Sequence, residues 1–135
     1  MSYLLDTDTC INIIRSRKGS LIRKVTAMEL EKLSVSTVTV AELHYGVAKS
    51  SAIEQNTMAL TQFLAPMKVW GLDERAACLY GGIRADLQAR GLVIGPYDML
   101  IAAQALSCGL TLVTNNIREF KRIKGLSLES WHELA

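Results

Sequence analysis

Several features are scarce in this 135-residue chain, and each scarcity narrows what it can be. Its three cysteines, Cys10, Cys78 and Cys108, are odd in number and far apart, with no C-x-x-C pair and no histidine at zinc-finger spacing. That argues against a disulfide framework or a thiolate zinc site, and three reduced core cysteines are expected. The two prolines, Pro66 and Pro96, fall between periodic segments, where they punctuate helices. No linker, low-complexity tract or internal repeat divides the chain, so one domain spanning 1–135 is expected. No run approaches the ~20 apolar residues of a membrane helix. The amino terminus passes straight into "YLLD" without a basic leader, so neither a signal peptide nor a membrane role is expected, and a cytoplasmic location is.

What is present is ordinary in bulk: half the residues are hydrophobic and 21% are charged, enough for one good core. The net charge of +2 is too small to announce nucleic-acid binding. Its distribution is more informative. Arg15, Arg17, Lys18, Arg23 and Lys24 crowd one early stretch, and Arg118, Lys121, Arg122 and Lys124 a late one. Such runs are usually solvated faces, but two of them leave room for a phosphate-backbone contact surface.

Short apolar runs at 3–5, 34–38, 67–70 and 110–114 read as strands. They lack clean alternation, which suits parallel strands covered on both faces. Between them, residues 8–15, 20–33, 39–49, 52–64, 73–90 and 98–108 read as helices. Gly91 and Gly109 stand as stops for the last two. Gly81-Gly82 inside 73–90 costs helix propensity and predicts close packing or a kink. The 98–108 helix is apolar nearly all round, so it is expected to be buried against the sheet. Strands alternating with helices define an α/β fold with a mainly parallel sheet.

In such sheets ligands bind beyond the carboxyl ends of the strands. The first strand empties into Asp6 and Asp8, and the second leads toward Glu42. Asp98 opens the apolar helix, and "LTLVT" empties into Asn115-Asn116 with Glu119 beyond. Each has a local alternative. Asp8 could cap the first helix, Thr39 to Glu42 spells a capping box, and Asp98 could be a cap too. Together they read differently, because the sheet brings distant strand exits to one edge. Carboxylates so gathered repel, and a hard divalent cation relieves them while leaving water sites for a phosphate. His44, two residues past Glu42, points elsewhere on its helix, and His132 also stands outside the group.

"Asp6-Thr7-Asp8-Thr9" also fits the D-x-D-x-T motif of haloacid-dehalogenase-like phosphatases. Against that reading, the late acidic position is a lone Asp98 and the chain is short. The ordered set "LLDTDTCINI", "VSTVTVAELHYGV", "IGPYDMLIAAQA" and "LTLVTNNIREFKRIKGLSLESW" instead resembles the PIN-domain ribonucleases, and among them the VapC-type toxins of toxin–antitoxin pairs.

The resemblance implies a three-layer α/β/α fold and a metal-dependent endoribonuclease. Asp6, Glu42 and Asp98 would be its catalytic acids, with Asp6 and Asp98 the main ligands of Mg²⁺, or alternatively Mn²⁺. Asn116 stands where the family carries a fourth acid, with Glu119 and Asp8 as sources of the missing charge. Thr7 and Thr114 are supporting candidates, for a phosphate or a water at the metal. It further implies a structured RNA substrate, commonly tRNA cut in the anticodon loop, and a homodimer. A cognate VapB-type antitoxin would approach the acidic pocket, and DNA would be met only indirectly, through that antitoxin. Tyr45, Phe63 and Trp70 are candidate contact residues, with core packing the default for each. The alternative is an interaction module that keeps the scaffold with weak or no chemistry.

Overall fold

The computed structural model describes residues 2–16, Val25 and 30–131. Among them, β1 (Tyr3–Leu5), β2 (Leu33–Ser36), β3 (Lys68–Trp70), β4 (Thr111–Val113) and β5 (Leu128–Glu129) form one sheet. Every pairing in it is parallel, in the order β3-β2-β1-β4-β5. The helices are α1 (Thr7–Arg15), α2 (Thr37–Ala48), α3 (Ile53–Leu64), α4 (Glu74–Ala89), α5 (Pro96–Cys108) and the short α6 (Ile117–Phe120). A 3₁₀ turn, Leu30–Lys32, leads into β2.

Side-chain alternation along the strands divides the core in two. Tyr3, Leu5, Leu33, Val35 and Val113 pack on one face with Cys10 and Ile13 of α1, Leu43 of α2 and Leu60 of α3. Leu4 and Leu112 point to the other face, against Leu87 of α4 and Met99, Ile101, Ala102 and Ala105 of α5. Leu4, Leu5, Leu33 and Leu112 are fully buried, each contributing about 1.5–3 kcal/mol through side-chain burial. This is the α/β/α sandwich that the alternating pattern predicts.

α5 buries Met99, Ile101 and a stripe of small residues, Ala102, Ala103 and Ala105. One polar residue interrupts it. Gln104, 1% exposed, accepts the Ser36 hydroxyl over 3.0 Å and donates to the Gly71 carbonyl over 3.2 Å, so the amide ties α5 to two strand ends. Gly109 ends α5 in the left-handed region at φ 65°, where glycine carries no Cβ penalty.

Several expectations need correction. β2 ends at Ser36 rather than 38, because the Ser36 side chain accepts the Val38 amide and starts α2. Of the helix expected at 20–33, residues 30–32 are a 3₁₀ turn and Leu33 is strand; most of the remainder lies outside the described residues. Gly81 and Gly82 are exposed, and a Cβ on either would meet nothing within 4 Å, so no close packing explains them. Cys10 is buried and Cys108 half-buried, but Cys78 is exposed on the outer side of α4 and is not a core residue. β5 and α6 went unread, being only two and four residues long.

Candidate active site at the carboxyl ends of the strands

Parallel pairing brings the exits of β1, β2 and β4 side by side, and each delivers a polar group. Asp6 follows β1 directly and is only 4% exposed. Its Oδ1 accepts the Thr9 amide over 2.8 Å, which makes Asp6 the N-cap of α1. The cap expected of Asp8 therefore belongs to Asp6, and Asp8 sits exposed in the first turn. Burial pushes the Asp6 carboxyl above the usual range. Hydrogen bonds from Thr114 and Thr9 hold it back, and the Asp8 charge adds to the rise.

Thr114, fully buried at the β4 exit, connects two candidates. Its oxygen accepts the Asn116 amide over 2.9 Å, while its side chain bonds the Asp6 carboxylate. Asn116 itself precedes α6 and makes no side-chain cap bond.

Glu42 stands in the second turn of α2, not the first. The capping box expected from Thr39 to Glu42 does not form, because Ser36 already caps that helix. Glu42 Oε1 instead accepts the Thr7 hydroxyl over 2.7 Å, across from α2 to α1. Thr7 also lies 3.1 Å from the buried Thr39 hydroxyl. With its own proton committed to Glu42, Thr7 is left to receive that of Thr39. The spacing of three between Thr39 and Glu42, which spells a capping box in the sequence, instead sets them one helical turn apart on the face where both meet Thr7.

Asp98 is in the first turn of α5, whose cap is Gly95 with Pro96 following, so Asp98 is not itself the cap. It is half-buried, and its carboxyl is raised to about 6. Burial is the largest cause; the charges of Asp6, Glu42, Asp8 and Glu119 add to it in that order. These five acids thus share one negative field, although they come from four separate helices and their caps.

Among the described residues, no three acidic, histidine or cysteine side chains stand close enough to form a ready-made metal cage. The donors are all oxygens, and His44 is exposed. Such a set suits a hard divalent ion, which often takes one or two carboxylates and completes its shell with water and phosphate. Asp6 and Asp98 fit that role, Asp6 because its cap bond engages Oδ1 and leaves the second oxygen outside that bond.

Of the late basic cluster, Arg118, Lys121 and Lys124 are exposed, while Arg122 is half-buried and donates to the Leu92 carbonyl. Most of the early cluster lies outside the described residues, Arg15 excepted. Phe63 and Trp70 pack on the core, whereas Tyr45 is 66% exposed.

The model of the PIN domain matches residues 3–126. The chain is 41% identical, over 97% of its length and 98% of the relative's, to the tRNA(fMet)-specific endonuclease VapC of Salmonella typhimurium. It is 39% identical to ribonuclease VapC2 of Rickettsia felis over the same shares. Its fold matches a DNA-bound VapBC complex from Salmonella typhimurium with a TM-score of 0.92, at 40% identity, covering 97% of this chain and 98% of that one. The chain belongs to the PIN-domain family and, within it, to the VapC group.

Proposed function

We propose that this chain is the toxin of a toxin–antitoxin pair, a divalent-metal-dependent endoribonuclease acting as one PIN domain over residues 1–135. Its substrate is structured RNA, namely tRNA cut in the anticodon loop, so that translation stops. The Salmonella relative named for tRNA(fMet) makes that tRNA the first to test. The partner is a VapB-type antitoxin, through which alone DNA is met, and the active protein is a cytoplasmic homodimer. Among the described residues no helix is long and apolar enough to cross a membrane.

Asp6 and Asp98 hold the metal ion, Mg²⁺ first and Mn²⁺ as a substitute. When bound, such an ion polarises the phosphodiester and makes water a better nucleophile. Glu42, steadied by Thr7, orients the attacking water. The water oxygen bonds to phosphorus as the bridging P–O bond breaks, its proton leaves toward Glu42, and the departing oxygen takes up a proton from solvent water. Thr114 keeps the Asp6 carboxylate in place, and Asp8 and Glu119 contribute charge without a direct contact.

One observation carries this reading: Asp98, half-buried, is raised to about 6 amid four other carboxylates at the strand exits. A cation relieves that field, and a protein without chemistry there gains nothing from keeping it. Asn116, neutral at the family's fourth acidic position, favours the interaction-module alternative.

The deciding experiment is cleavage of a tRNA pool by antitoxin-free protein in Mg²⁺, Mn²⁺ or EDTA, beside Asp98→Ala. Discrete metal-dependent fragments absent from the mutant support the nuclease. Metal binding without tRNA cleavage redirects the search to ribosomal RNA, and neither binding nor cleavage favours the module.

A further inference from the structure

Two of the eight aromatic side chains are exposed, Tyr45 at 66% and Tyr97 at 58%; the other six are buried or half-buried. Isolated exposed rings are ordinary on a protein surface. These two are not isolated from each other or from the acids. Both line one groove of about 920 Å³ that Thr7, Asp8 and Glu42 also line.

The groove has a direction. Its walls include α1 and α2, each carrying a carboxylate in its first two turns and a cation at its carboxyl end: Asp8 and Arg15, then Glu42 and the C-cap Lys49. Seven residues separate the members of each pair, two turns along one helix face, or roughly 10 Å. Tyr45 lies one turn beyond Glu42, and the Lys49 ammonium sits 4.8 Å from its ring centroid. Tyr97 immediately precedes Asp98. Among the described residues neither Arg15 nor Lys49 has an ion-pair partner, so the far end of the groove carries two cations without countercharge.

We infer that Tyr97 and Tyr45 are stacking platforms for unpaired bases of the RNA on either side of the cut phosphate, with Lys49 and Arg15 receiving the next phosphate. The inference rests on the nuclease reading and adds to it which residues of the groove hold the unpaired bases and the neighbouring phosphate. A ring with a cation beside it complements what a nucleotide presents: a flat base and a phosphate. Bases in a duplex keep their faces stacked on one another, so only a loop or a single strand can use both tyrosines. The apolar floor, with Ile11, Ile14 and Leu60, tolerates base faces as well as side chains. At that end of the groove two cations without an ion-pair partner among the described residues favour a polyanion over an apolar peptide.

The test compares Tyr45→Ala and Tyr97→Ala with Tyr45→Phe and Tyr97→Phe in the full-length protein. Anisotropy in EDTA gives the affinity for a labelled single-stranded oligoribonucleotide and for the same sequence closed in a duplex. Cleavage of tRNA in Mg²⁺ gives kcat and KM. Each alanine is expected to weaken single-strand binding about 5- to 100-fold and to raise KM more than it lowers kcat. Phenylalanine restores both within about twofold, since the ring and not the hydroxyl stacks. The duplex binds more weakly than the single strand to the wild type and is indifferent to either alanine. Both sites are exposed, and thermal melts confirm that the variants fold.

Unchanged affinity and KM in the alanine variants, with wild-type protein cleaving, overturns this inference alone. So does loss of binding to an antitoxin carboxyl-terminal peptide with RNA binding intact, which assigns the groove to a peptide. A wild type that binds and cleaves no RNA removes the nuclease reading itself.

Discussion

The Thr7 hydroxyl reaches from α1 to the Glu42 carboxylate of α2 over 2.7 Å. One side chain therefore links the residue after the buried Asp6 to the acid of the neighbouring strand exit. Behind it, the Thr39 hydroxyl lies 3.1 Å away, so a line of two hydroxyls ends on Glu42. Thr7 thereby acts through Glu42 rather than on a phosphate, which makes it a positioning residue.

A hydrogen bond to a charged group contributes about 1.5–3 kcal/mol, so Thr7→Val should lower kcat roughly ten- to a hundredfold. Thr7→Ser, which keeps the hydroxyl, should recover most of that loss. Both variants should melt within a few degrees of wild type, because Thr7 is only half-buried. Serine that fails to rescue would show that the methyl group, and packing, matters instead.

Asp98 makes stability depend on pH in a definite sense. Its folded carboxyl is raised to about 6, above the ordinary value of 3.8, so between the two the folded state binds more protons than the unfolded. Stability of the metal-free protein should therefore rise as pH falls from about 7 toward 5 on this account. The ionised acid costs roughly 1–2 kcal/mol at neutral pH once solvent screening of this half-exposed group is allowed for. In EDTA, Asp98→Asn should melt a few degrees above wild type at pH 7.5, and the gap should shrink as pH falls through 6 and close only below the ordinary value of 3.8. Equal melting temperatures across that range would mean that neither burial nor the neighbouring acids raise Asp98. Protons and metal compete for one group, so Mn²⁺ affinity measured by calorimetry should fall as pH drops below about 6.

Gln104 tests how the site's floor is held. The buried amide accepts from Ser36 and donates to Gly71, at the ends of β2 and β3. Gln104→Leu keeps the volume but leaves the buried Ser36 hydroxyl and the Gly71 carbonyl without that partner, costing about 1–3 kcal/mol. Denaturant unfolding should show a lower midpoint with an unchanged slope. A variant as stable as wild type would imply that water replaces the amide.

The fold was legible where apolar runs and periodicity agreed. Tyr3–Leu5 and the all-round apolar α5 are set by burial on both sides, which composition alone reveals. The acids were legible because strand exits in a parallel sheet share an edge. Caps were not. Thr39 and Glu42 match a capping box in spacing, yet Ser36 starts α2 three residues earlier, and only the structure shows where β2 stops. Asp8 and Asp6 are equally good caps in sequence; burial of Asp6 beside Thr114 decides between them. Long-range hydroxyl contacts such as Thr7 to Thr39, 32 residues apart, leave no local pattern to read.

Asn116 is where charge can be added to the site rather than removed. Its amide donates to Thr114, which in turn bonds Asp6, and its side chain makes no cap bond. Asn116→Asp keeps the shape while adding a carboxylate to a region that already holds Asp6, Asp98 and Glu119. Without metal the added repulsion should lower the melting temperature by a few degrees, about 1 kcal/mol. With saturating Mn²⁺ the order should reverse, because a cation binds the extra oxygen and stabilises only the folded state. Calorimetry should then show several-fold tighter Mn²⁺ binding than in wild type. Unchanged metal affinity together with an unchanged metal-free melting temperature would place the Asn116 side chain outside the acidic field.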